Sequence, residues 1–350
     1  MVDEYGLYIS ALVPILIVWI FLRMVGAPHR LLDGQARREA FSLPSKTHPK
    51  PSIHWKLSDR MSYRQGLVSV RSMNIWWQSF TPPRMSSNTF IVMYHGYGDH
   101  SDYILHEVAH DLAMKSNLTV IVFDQPGFGR SDGLWGYIPE WRDHVCVCAD
   151  ATNAIVKLHT NDDVSLIGYG HSMGGGLLIT AAILYPSMFS CLVLSAPMCG
   201  VSPSIRKPII VENFLFFLAS IIPKAPITPV PDLGALCFED PDFYEYTKKT
   251  NHLGYRAKPR LATAKSLLLA QEWISSHAHS LHTPYLMLHG DKDMVTSLDS
   301  SVLFHQKAAS RDKTLKVMRG YYHSILGPGQ PKQKAEKAFQ IVVDWIRDHS

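Results

Sequence analysis

Hydrophobic positions along this chain fall into two rhythms. Gln65–Val70 and Asn74–Phe80 alternate apolar and polar residues around a short turn, which predicts an antiparallel hairpin. After it come short, almost continuous apolar runs: Thr89–Tyr94, Leu118–Phe123, Val164–Gly168 and Cys191–Ser195. Between them lie stretches with helical spacing, His106–Lys115, Trp141–His159 and Gly175–Leu184. Strands apolar on both faces, alternating with helices, imply a mostly parallel α/β sheet covered on both faces. The rhythm stops over 198–283 and resumes with strands at Tyr285–Leu288 and Thr314–Val317 and a helix at Lys334–Asp348. The interruption predicts an inserted cap. Within it, Pro208–Ile222 is almost wholly apolar. That suits a helix buried by the main domain, or a lid that lines an acyl pocket or touches lipid.

The N-terminus differs. Tyr5–Leu22 carries no charge and is mostly apolar, near the lower limit of about 20 residues for a membrane span. Asp3 and Glu4 argue against a cleaved signal peptide, which begins with a basic region. Residues 1–25 are therefore expected to be a membrane anchor. The flank holding Arg23, Arg30, Arg37 and Arg38 would place the following domain on the cytoplasmic side. Residues 26–60, broken by Pro28, Pro44, Pro49 and Pro51, read as a linker that lets the body, 61–350, stand off the membrane.

Composition narrows the chemistry. The net charge of +4 comes largely from that N-terminal flank, and the body has no basic stripe interleaved with aromatics, so nucleic acid is not expected as a partner. Five irregularly spaced cysteines with no CxxC predict neither a zinc site nor a disulfide framework, in keeping with a reducing compartment.

Gly170-His-Ser-Met-Gly174 is a G-x-S-x-G motif between an apolar strand and an apolar helix. Such a turn lifts the serine hydroxyl above the sheet at a helix N-terminus, where amides favour developing negative charge. Ser172 is the candidate nucleophile. A serine needs a base, and the base an orienting acid, both expected in loops after late strands. His323 is the candidate base. Asp293 is the candidate acid, with Asp291 read as bracing its turn and Asp299 a distant third. His95-Gly-Tyr-Gly98 ends the first parallel strand, and the backbone amides of Tyr97 and Met173 are the candidate oxyanion donors. The Gly-rich turn Asp124–Asp132 lacks the Gly-Lys-Ser/Thr of a phosphate loop and reads as structural.

From about residue 64 onward the chain resembles the monoglyceride lipase branch of the α/β-hydrolases, especially the subgroup that includes caffeoylshikimate esterase. The resemblance rests on His95–Ser101, Asp124–Gly133, Gly136–Pro139, Gly170–Gly175, Ala196–Cys199 and Lys258–Leu261. It implies the α/β-hydrolase fold and hydrolysis of a lipid ester, most simply a monoacylglycerol, without metal or cofactor. It supports Ser172, Asp293 and His323 as a triad, and it implies that Asp99, where lipases of this branch often carry Glu, helps bind the polar head. Two departures stand out. Mammalian-type lipases carry Arg where this chain has Tyr103, and a second His where it has Leu326. Lysophospholipid hydrolysis and acyl transfer are alternatives for the same triad; the acyltransferase-like pair His106 and Asp111 is a spacing expected by chance. An alternative of another class is a catalytically inactive membrane scaffold.

Overall fold

The computed structural model describes residues 33–40, 61–85 and 87–350. The apolar segment 5–22 expected to anchor the chain lies outside the described residues. Among the described residues, no helix is long and apolar enough to cross a membrane.

In chain order the elements are α1 (Gly34–Ala40), β1 (Ser62–Val70), β2 (Met73–Thr81), β3 (Thr89–Tyr94), α2 (Ile104–Ser116), β4 (Thr119–Phe123), α3 (Trp141–Lys157), β5 (Ser165–His171) and α4 (Met173–Leu184). They continue with β6 (Cys191–Ser195), α5 (Ile209–Ile221), α6 (Pro241–Thr250), α7 (Leu261–Ser276), β7 (Tyr285–Gly290), α8 (Leu298–Lys307), β8 (Lys313–Met318) and α9 (Lys332–Asp348). The strands form one sheet in the order β1-β2-β4-β3-β5-β6-β7-β8. The β1–β2 hairpin and the β2–β4 pair are antiparallel; from β4 to β8 every pair is parallel.

The pleat explains the continuous apolar runs. Along β3, Phe90, Val92 and Tyr94 face one core with Leu177, Leu178 and Ile274, while Ile91 and Met93 face the other with Leu112, Phe339 and Val342. Each of the five central strands β3–β7 thus supplies both cores, and both of its faces must be apolar.

Within 198–283 the structure separates two kinds of helix. The last, α7, buries Ala270 and Ile274 in the same core as α4, so it belongs to the layered body. The apolar α5 behaves differently. Its inner side, Leu215, Leu218 and Ala219, packs on Ala225 and Leu261. Its outer side leaves Ile210, Phe214, Phe217 and Ile221 in a stripe at least 59% exposed. It is not a helix buried by the main domain.

The stretch expected to be a linker is not a free spacer throughout. Residues 34–40 form a helix docked on the body, with Arg37 fully buried. The guanidinium finds carbonyl acceptors there, which a count of surface charges does not reveal.

Candidate active site

Ser172 sits between the end of β5 and the start of α4 with φ 56° and ψ −119°. That left-handed conformation costs a non-glycine residue on the order of 1–3 kcal/mol, and neighbouring hydrogen bonds hold it. Ser172 N–H donates to Ser195 O at 2.9 Å, and Ser172 O accepts from Gly175 N at 3.0 Å and Met198 N at 3.0 Å. The motif's glycines are needed for space. A Cβ on Gly170 would stand 2.5 Å from Gly174 O, and one on Gly174 would stand 2.1 Å from Tyr94 O.

The loops after β7 and β8 bring Asp293 and His323 together. His323 Nδ1–H donates to Asp293 Oδ2 at 2.7 Å, with both side chains buried. The other carboxylate oxygen accepts from Val295 N at 2.7 Å and Thr296 N at 3.0 Å. Thr296 Oγ1 adds a bond to Oδ2 at 2.8 Å. A second imidazole, His289, places Nε2 3.3 Å from the same oxygen, and its Nδ1 meets Ser301 Oγ at 2.9 Å. Burial alone would push the Asp293 carboxyl up; the His323 and His289 imidazoles and their hydrogen bonds outweigh it and hold the carboxyl well below the usual range. Asp291 instead accepts Gly320 N at 2.6 Å, tying the two loops together. His289 and Thr296 were not singled out in the sequence, although His289 lies in the stretch that supplies Asp293.

The segment Gly96–Asp99 closes the other side. A Cβ on Gly96 would lie 3.3 Å from Ser172 Cβ, so the chain runs directly against the serine. Met173 opens α4, and the first amides of a helix have no intrahelical carbonyl partner. The Tyr97 hydroxyl donates to Gly136 O at 3.0 Å. Gly98, at φ +83°, accepts Tyr255 N at 2.8 Å, which joins this segment to the inserted region.

Ser172, His323, Tyr97 and Asp99 line one cavity of 430 Å³. Its walls are mainly apolar: Ile104, Leu105, Val108, Ile325 and Leu326 from the body, and Val230, Leu233 and Phe238 from the inserted region. Asp99 lines this wall beside Gly96–Gly98, and burial raises its carboxyl pKa against the pull of His100, His95 and Arg256. Tyr103 points elsewhere, bonding Thr250 of α6, whereas Leu326 does line the cavity. Among the described residues no group of three His, Cys, Asp or Glu side chains could hold a metal ion. A hydroxyl at a helix N-terminus, an imidazole braced by a buried carboxylate and an apolar cavity together are equipped for acyl transfer.

Sheet order, elbow and late-strand loops define an α/β-hydrolase. Residues 86–329 match the Hydrolase_4 family, described as serine aminopeptidase, S33, and the chain belongs to that family. It is similar to a monoacylglycerol lipase of Mycolicibacterium smegmatis, 30% identical over 81% of this chain and 95% of that protein. It is similar also to the caffeoylshikimate esterase of Arabidopsis thaliana, 27% identical over 90% of this chain and 96% of that one. The fold agrees with a solved monoglyceride lipase from Saccharomyces cerevisiae, TM-score 0.73 at 16% identity, covering 86% of this chain and 99% of that one.

Proposed function

We propose that this hydrolase cleaves monoacylglycerols through an acyl-enzyme on Ser172. The observation that carries the reading is the convergence of Ser172 and the His323–Asp293 pair on one largely apolar cavity. His323 takes the Ser172 proton as the hydroxyl attacks the ester carbonyl. Asp293 holds the imidazole and stabilises its cation. The amides of Tyr97 and Met173 receive the oxyanion, and Asp99 meets the glycerol hydroxyls. Glycerol leaves, protonated by His323, and water activated by the same imidazole releases the fatty acid. The lipase relatives support the substrate class; the apolar walls suit an acyl chain.

We further propose that residues 5–22 attach the enzyme to a membrane with the body on the cytoplasmic side. The uncharged run and its Arg-rich flank support this, and so does the exposed apolar stripe of α5. Phenolic-ester hydrolysis is the second reading, favoured by the similarity to the Arabidopsis esterase. Purified protein offered 2-oleoylglycerol, a lysophospholipid and a caffeoyl ester separates these. Preference for 2-oleoylglycerol is expected; turnover of the caffeoyl ester alone would refute the lipase reading.

A further inference from the structure

The helix α1 lies far before residues 86–329 of the family match, and none of its residues lines the cavity. Yet it is seated in the body. A Cβ on Gly34 would stand 2.4 Å from Asp132 Cα, so glycine permits this approach. One turn on, Arg37 is fully buried. Its Nε donates to Gly129 O at 2.7 Å, one terminal nitrogen to Gly133 O at 3.1 Å and the other to Ser131 O at 2.5 Å. Three convergent carbonyls match the N–H donors of the planar guanidinium fork. Beside it, Arg38 bonds Arg130 O at 2.7 Å and pairs with Asp132 at 2.8 Å.

The clamped loop is wired to the oxyanion segment. Gly127 N bonds Asp132 O at 2.7 Å, and Gly136 N bonds Gly127 O at 2.8 Å, closing the loop on itself. Gly136 O then receives the Tyr97 hydroxyl at 3.0 Å. At the loop's start, Asp124 accepts Ser101 N at 2.6 Å and Arg130 N at 2.6 Å. Gln125 donates its side-chain amide to His95 O at 2.7 Å and its backbone N–H to His95 Nε2 at 2.9 Å. The segment 95–101, which carries the Tyr97 amide, is therefore held at several points by a loop that Arg37 holds from behind.

We infer that Arg37 is a positioning residue for the oxyanion hole, making the N-terminal extension part of the working hydrolase as well as a tether. The inference rests on the acyl-enzyme reading above. Oxyanion donors act only when placed to within a fraction of an ångström, and a misplacement of about 1 Å costs about 10²-fold in rate.

The test compares wild type, Arg37→Ala, Arg37→Lys and Gly34→Leu, with Gln35→Ala on the exposed side of α1 as control. Each is assayed with soluble p-nitrophenyl butyrate, with a trifluoromethyl ketone that forms an oxyanion, and with an unreactive ether analogue of a monoacylglycerol. For Arg37→Ala, kcat should fall about 10²-fold and ketone affinity with it, while ether affinity and KM stay within about threefold. Arg37→Lys should recover part of the loss, added guanidinium should restore part of Arg37→Ala, and Gln35→Ala should match wild type. If Arg37→Ala does not fold, Gly34→Leu, which lifts the helix without removing the charge, is read in the same way. A folded Arg37→Ala or Gly34→Leu with wild-type kcat and ketone affinity overturns the inference. So does equal weakening of ketone and ether. A wild type that hydrolyses no ester overturns the reading beneath it.

Discussion

Asp293→Asn is the sharpest perturbation of the proposed site because it changes almost no shape. Val295 N and Thr296 N both donate to Oδ1, so the amide oxygen must take that place and the NH2 must take the place of Oδ2. There it faces His323 Nδ1, which the carboxylate engages at 2.7 Å. Facing a donor, Nδ1 must become an acceptor, the ring proton moves to Nε2, and the imidazole can no longer take a proton from Ser172. The wrong tautomer costs about 10⁴-fold in kcat, equivalent to about 5.5 kcal/mol of barrier. Folding should suffer less, by about 1–3 kcal/mol, for the loss of charge-assisted bonds in a fully buried position. The assay is turnover of p-nitrophenyl butyrate near pH 7 alongside a melting curve. A kcat within tenfold of wild type, in a folded variant, would refute the assigned role of Asp293.

Two further outcomes are expected. His144 is buried, its Nε2 3.1 Å from Gln125 Oε1, and burial first of all pushes its imidazole down to about 3. The folded pKa lies below the unfolded value of about 6.5, so the unfolded chain binds more protons in between; this stability is complete above pH 6.5 and lost at about 1.4 kcal/mol per unit as pH falls to about 3. His144→Gln should therefore show a flatter fall in melting temperature from pH 6 to pH 4, and parallel curves would contradict this. Phe214 and Phe217 are 59% and 60% exposed on α5, so replacing both with Ser should leave hydrolysis of a soluble ester unchanged. Binding to lipid vesicles should weaken at least about 10²-fold if each of the two rings buries in lipid with about 1.5–3 kcal/mol; unchanged vesicle binding would show that α5 does not hold the enzyme on lipid.

The parallel strands were legible because a sheet covered on both faces demands continuous apolar runs, and Thr89–Tyr94 and Cys191–Ser195 fall where those runs lie. The helix α8 was not singled out; its polar face and short length leave only Ser301 and Phe304 buried. The role of α7 in the main core was hidden because the strand-helix rhythm breaks before it, while the contacts of Ala270 and Ile274 are made at long range. At the site, a motif with strict steric demands pointed to Ser172, and chain order pointed to Asp293 and His323. His289 carries no such local signature, since its place beside Asp293 depends on the loop between them. Arg37 was the least legible. In sequence it is one of several arginines in a basic flank, and only the fold supplies the three carbonyls that bury it.

The most direct test of the central claim is release of glycerol and oleate from 2-oleoylglycerol by the purified full chain, with Ser172→Ala alongside. Release by the wild type is expected, and none above background by the variant, with a fluorophosphonate labelling only the wild type. Release by both proteins, or by neither, would contradict the claim.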